Sequence, residues 1–146
     1  MAYISAQETA QIRKALKEAF PELRFSVQNR HHSEVAVAIT KGSIDFSDIL
    51  DARDHSQINH YWLENYGQHT ELFEAIIMVI KRAGSEWYDR SDIQTDYFDT
   101  AFYITLEVGK WNKPYQVEEN LAKHVSAEPF LQRARTAVAM RKLETV

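Results

Sequence analysis

The chain has no cysteine, which excludes a disulfide framework, a thiolate nucleophile and a cysteine-ligated zinc site. Glycine and proline are scarce, four and three among 146 residues, so a low-complexity or disordered chain does not fit. No apolar run approaches the roughly 18 residues that span a bilayer, and no membrane partner is expected. The opening stretch MAYISAQETAQ lacks both the basic region and the apolar core of a secretory signal. A cytoplasmic protein is the expectation. With 45% hydrophobic residues, the length suits one domain with a substantial core.

Positive charge is missing from the middle of the chain. Residues 43–100 carry four Lys/Arg against twelve Asp/Glu, a balance of −8, while residues 1–42 and 101–146 are each +2. Such a block repels phosphate and favours a basic partner surface; the plainer alternative is a solvated acidic face.

Motifs for chemistry are also missing. There is no G-x-S-x-G elbow and no phosphate-cradling loop, because KGS and VGK hold lone glycines. His31 and His32 are adjacent and point apart, and His55 and His60 miss the i,i+4 spacing of a helical zinc site. Asp45, Asp48 and Asp51 lack the glycine and terminal Glu of a calcium loop. No catalytic residue, metal or cofactor is assigned, and a non-enzymatic role is expected. A deep pocket enclosing two of Asp92, Asp96 and His60 would reopen catalysis.

Periodicity supplies the elements. Ser5 and Glu8 form an S-x-x-E capping box, Ile12, Leu16 and Phe20 follow four residues apart, and Pro21 ends the helix. LRFSVQ and EVAVAIT alternate about the polar connector NRHHS, which predicts a hairpin with one face polar or small. IDFSDILDARDHSQ suits either a short helix or an irregular acidic loop. HTELFEAIIMVIKRAG is the expected central core helix, with a wide apolar arc. AFYITLEVG is a strand, with Phe102, Ile104, Leu106 and Val108 on one face. From Pro129 onward Phe130, Leu131, Ala134, Val138 and Leu143 stripe a basic helix.

The expected fold is α+β: a small antiparallel β-sheet of three or four strands with helices packed on one face. Its order is helix, strand, strand, acidic segment, helix, strand, helix. Residues 1–116 form the domain, and 117–146 form a C-terminal amphipathic helix packed on it or used for homodimerisation.

Three stretches mix rings with amides and charges: QINHYW, SDIQTDYF and GKWNKPY. Rings at element ends give contact area at low entropic cost, although Tyr and Trp are more often half buried with a bonded polar tip. If 57–62 is extended, it pairs with 101–108 in the sheet. The candidate partner-binding surface joins Asp45, Asp48, Asp51 and Asp54 to Asn59, Tyr61, Trp62, Asp92, Asp96 and Trp111, with a host protein of basic surface as the partner. The alternative is single-stranded nucleic acid held by Lys110, Trp111, Lys113 and Tyr115, helped by Arg133, Arg135, Arg141 and Lys142.

IRKALKEAFPELRFSV, residues 12–27, resembles the start of the large polyvalent protein-associated domain numbered twenty-nine. There a helix ending near LKEAFP runs into a strand close to FSV. The resemblance is specific over these 16 residues and looser to about residue 42. INHYW, SDIQTDYF and GKWNKPY are similar to stretches in small phage and plasmid proteins, whereas the helix from about 117 has no counterpart. The resemblance implies an origin in a mobile element and a counter-defence role, and it supplies no catalytic residue.

Overall fold

The computed structural model describes residues 2–92, 94, 99–122 and 127–144, without the side chains of 122, 143 and 144. Helix α1 (Ala6–Ala19) starts as its capping box requires: Ser5 Oγ accepts the Glu8 N–H at 3.1 Å, and Glu8 Oε1 accepts the Ser5 N–H at 3.4 Å. It stops at Phe20, before Pro21, and buries Ile12, Ala15, Leu16 and Ala19.

Strands β1 (Leu23–Arg30) and β2 (Glu34–Gly42) form the expected antiparallel hairpin. His31 and His32 turn it with φ of 57° and 55°, and Asn29 Oδ1 steadies the turn by accepting the His32 N–H at 2.8 Å. The acidic segment resolves into both of its alternatives. One helical turn, α2 (Ser47–Leu50), runs into an irregular loop in which Asp51 and Ala52 have φ of 50° and 65°. Strand β3 (Ser56–Ile58) follows, then a 3-10 turn (Leu63–His69) and helix α3 (Thr70–Arg82). α3 is central to the core, burying Leu72, Phe73, Ala75, Ile76, Ile77, Val79 and Ile80. The chain continues through β4 (Tyr103–Val108), β5 (Gln116–Val117), a 3-10 turn (Glu119–Ala122) and α4 (Phe130–Glu144).

The class is α+β, with helices against a sheet, and the sheet order is β1-β2-β4-β3, with β5 beside the end of β2. The sheet is mixed, which corrects the antiparallel expectation: β4 runs parallel to β2, with Val35 opposite Ile104 and Val37 opposite Leu106. The connection from β2 to β4 returns through α3, and parallel neighbours need such a crossover. β3 pairs antiparallel with β4, Gln57 opposite Glu107; of QINHYW, only the first residues join the sheet. Val35, Val37, Ile39, Ile104, Leu106 and Val108 are buried on the core face. Tyr103, Thr105 and Glu107 alternate with them on the other, beside the small side chains of Ala36 and Ala38.

Helix α4 packs on α1 and α3 through Ala134, Ala137 and Val138. Two of its arginines join this buried face. Arg133, 8% exposed, pairs with Glu22 at 2.9 Å, and Arg141, 2% exposed, pairs with Glu18 at 2.9 Å. Lys142 reaches Glu86 at 2.7 Å. Three cations expected to meet phosphate therefore hold the terminal helix to its own chain.

A buried ion pair is near break-even overall, but removing one partner strands the other. Arg133→Met leaves the Glu22 carboxylate buried alone and is expected to lower stability by about 3–5 kcal/mol. The double variant Arg133→Met, Glu22→Leu recovers most of that loss, as read by urea denaturation.

Candidate functional site

The aspartate segment is mounted firmly at its start. Phe46 is fully buried against Phe73, Tyr115 and His69, so α2 is pinned by its first ring. Asp45 Oδ1 accepts the Ser47 N–H at 2.8 Å, and that bond holds its carboxyl below the usual range. Asp48 meets His69 Nε2 at 3.0 Å; desolvation opposes ionisation there, but the bond and charge of His69 outweigh it and lower the pKa. Arg53 folds back to donate to the Leu50 and Ile49 carbonyls at 2.9 and 3.2 Å, closing the C-terminus of α2. All four aspartates, Asp45, Asp48, Asp51 and Asp54, are exposed. Among the described residues none of them is ion-paired with a lysine or arginine.

Gly109 then joins this segment to the next. Its φ of 76° needs glycine, and a Cβ there would come within 2.5 Å of the Asp54 carbonyl. That close approach brings the loop after β4 against the aspartate loop. Trp111, 79% exposed, consequently shares a cleft with Arg53, Asp54 and Glu107.

Three clefts flank the short strand β3, and Gln57 lines each of them. The first holds Asp54 and Trp111. A second holds Asp48 with Asn65 and Tyr66. The third, about 470 Å³, brings Asn59 and Tyr61 together with His60, Trp87 and Tyr103. Asp45, Asp51 and Trp62 are exposed but line none of the three. Asp92 is exposed and accepts the Gln94 N–H at 3.0 Å, away from these clefts. Asp96, like Tyr97 of the same stretch, lies outside the described residues.

Sequence reasoning missed Gln57, Trp87, Tyr103 and Glu107 as site residues. Tyr103 carried a signal, since it is a ring on the solvent face of an alternating strand. Trp87 carried none.

The nucleic-acid set is divided. Lys110 donates to Ser26 Oγ at 3.1 Å, and the Tyr115 hydroxyl donates to the Ile44 carbonyl at 2.6 Å. Tyr115 packs edge-on to Phe46, and burial pushes its pKa up. Of the four, Trp111 and Lys113 are exposed, and Trp111 has carboxylates for neighbours.

Among the described residues no three His, Asp or Glu are grouped to hold a metal ion, and no helix is long and apolar enough to cross a membrane. His60 sits in the wall of the aromatic cleft. Its Nδ1 is buried without a hydrogen-bond partner. Burial, then the charge of Lys81, lowers its pKa below the ordinary 6.5. Lys81 is itself depressed by burial, with its amine 4.3 Å from the Trp87 ring centre.

The model of the large polyvalent protein associated domain 29 matches residues 4–100. The chain belongs to this family. It is a domain associated with phages and mobile elements, and the match extends well past the hairpin to which the resemblance was traced. It takes in β1, β2, β3 and α3 and stops just before β4. No curated protein and no solved structure matches the chain.

The depressed pKa of His60 sets a direction for stability. The unfolded chain protonates this ring first, so stability falls as pH drops below about 6.5 towards the folded pKa. Urea midpoints at pH 7.5 and 5.5 are expected to differ less for His60→Asn than for the parent; an unchanged difference contradicts this assignment.

Proposed function

We propose that this domain is a non-enzymatic docking module that covers a basic surface on a host protein, as a counter-defence factor against a nuclease or nucleic-acid-binding complex. The observation that supports it is the aspartate ridge: four exposed carboxylates in a ten-residue segment, without internal Lys/Arg partners among the described residues, and with Trp111 beside Asp54. Carboxylates without a lysine or arginine partner on a mounted loop are available to the guanidinium and ammonium groups that otherwise bind phosphate. An exposed indole next to them supplies the apolar anchor that charge alone does not. The family's link to mobile elements makes a host target the natural one. Arg133 and Arg141 are engaged by Glu22 and Glu18, so neither is available to neutralise the aspartates.

Nucleic acid itself is the weaker reading, because Lys110 and Tyr115 are engaged within the domain and Glu107 and Asp54 flank Trp111.

Pull-down from host lysate at low salt is expected to retain a nucleic-acid-binding protein that duplex DNA displaces. Replacing Asp45, Asp48, Asp51 and Asp54 together by Asn should weaken retention about tenfold or more, and the parent interaction should fall with salt. Retention of no such protein at low salt contradicts the reading. So does a salt-steep gel shift of a single-stranded oligonucleotide by the purified domain.

A further inference from the structure

The cleft at Tyr61, Trp87 and Tyr103 lies where the sheet is open for the length of one residue. The Tyr103 N–H donates to the Ser33 carbonyl at 2.9 Å and the Gly109 N–H to the Ile39 carbonyl at 2.7 Å, so odd-numbered peptide groups of β4 face β2. Even-numbered ones face the opposite way. There Val108 and Leu106 pair with Ser56 and Ile58, and the Phe102 carbonyl accepts the Trp87 indole N–H at 2.7 Å. Further back, the Ala101 N–H donates to the Tyr88 carbonyl at 2.9 Å and Asp89 bridges to Thr100. Ile104 falls between these two covered stretches, because β3 ends at Ile58.

The cause is local. The Asn59 N–H donates to the Tyr66 hydroxyl at 2.7 Å, and Asn59 Oδ1 accepts the Tyr61 N–H at 3.0 Å. That Asn-centred turn lifts the chain off the sheet. The N–H and C=O of Ile104 are left side by side at a cleft of about 470 Å³, a size suited to a small molecule. The buried side chains of Ile58 and Phe102 line it, as do the rings of Tyr61 and Tyr103, 67% and 54% exposed. His60 backs Tyr61, with ring centres 4.1 Å apart. No carboxylate, lysine or arginine lines the cleft. An opening of one residue is too short for another strand, and its walls carry nothing to hold an ion.

We propose that this cleft binds an uncharged aminopurine, as a free base or nucleoside, with its amidine edge on the peptide groups of Ile104. A ring nitrogen of the base accepts the Ile104 N–H, and the adjacent exocyclic amine donates to the Ile104 carbonyl. A donor and an acceptor from one residue, facing the same way, need a partner that offers the same two groups side by side. A purine edge does so within the length of a single residue, where a strand does not fit. Its flat faces have the rings of Tyr61, Trp87 and Tyr103 to lie against, and a purine gives them more area than a pyrimidine. Without a lysine or arginine on the walls, a phosphate finds no counter-charge, so the nucleoside is preferred to the nucleotide or to a nucleic-acid strand. The cleft shares only Gln57 with those of the aspartate ridge, so this site stands apart from the docking role proposed above.

The test is amide exchange and chemical shift at Ile104 in the full chain, titrated with adenosine. In the free protein the Ile104 N–H is expected to exchange at least tenfold faster than that of Leu106. Adenosine should shift the Ile104 amide saturably and slow its exchange. Purine riboside, which keeps the ring but lacks the exocyclic amine, should bind at least tenfold more weakly, because the carbonyl is then left without a donor. Tyr61→Ala should weaken adenosine about tenfold, and so should Tyr103→Ala, which leaves the Asn59 turn untouched. The four-fold Asp→Asn variant should keep the response, which separates failure here from failure of the ridge. The proposal is overturned by any of four results. These are an Ile104 amide as protected as that of Leu106 in free protein, no saturable shift at millimolar adenosine, equal binding of purine riboside, or full affinity in both tyrosine variants. Tighter binding of adenosine monophosphate or of an oligoadenylate than of adenosine would also overturn it, since the phosphate would then be the group recognised.

Discussion

The position of β4 is the constraint on which the molecule depends. It lies between β2 and β3, parallel to one and antiparallel to the other, and its core face of Ile104, Leu106 and Val108 closes over α3. Because a parallel pairing demands a long return, the chain between β2 and β4 must travel from one end of the sheet to the other. That return is the acidic block, with twelve Asp/Glu over residues 43–100. The crossover hence brings Asp48, Asp54 and the rings of Tyr61 and Trp87 to clefts beside the edge strand β3. The family match ends at residue 100, so β4, the strand that unites the matched strands β2 and β3, comes from beyond the matched segment.

Charge is sorted by the same architecture. The terminal helix brings Arg133 and Arg141 to Glu22 and Glu18 on the α1 side of the core, with the Arg133 guanidinium also over the rings of Phe20 and Phe130. Two basic groups are thereby neutralised in the interior, whereas the aspartates of α2 and its loop face solvent. A net charge of −4 understates how acidic the β3 side is, because residues 43–100 carry −8 and the two flanking segments +2 each.

Much of the fold was legible because local rules dominate it. The capping box of Ser5 and Glu8, the stop at Pro21, the wide apolar arc of α3 and the alternation in β4 each depend on neighbours within a few residues. The parallel pairing was not legible, since period-two alternation is the same in either direction of pairing. Arg133 and Arg141 were read as surface cations by residue type. Their spacing with Ala137 places them on one helical face, which was the signal that they are buried. The opening of the sheet beside Ile104 depends on a single Asn turn and a Tyr66 hydroxyl, and no periodicity reports it. Of the candidate site, Asp54 and Trp111 share one cleft, Asp48 lines a second, Asn59 and Tyr61 line the third, and Asp92 stands apart.

The central claim is that the β3 side of the sheet is where this domain meets another macromolecule. Hydrogen exchange mapped across the chain in complex with its captured host partner tests it most directly. Protection confined to residues 45–62 and 100–111, with α1 and α4 unchanged, is the result the account predicts. Protection centred on α1 or α4, with the β3 side still exchanging as in the free protein, would contradict it.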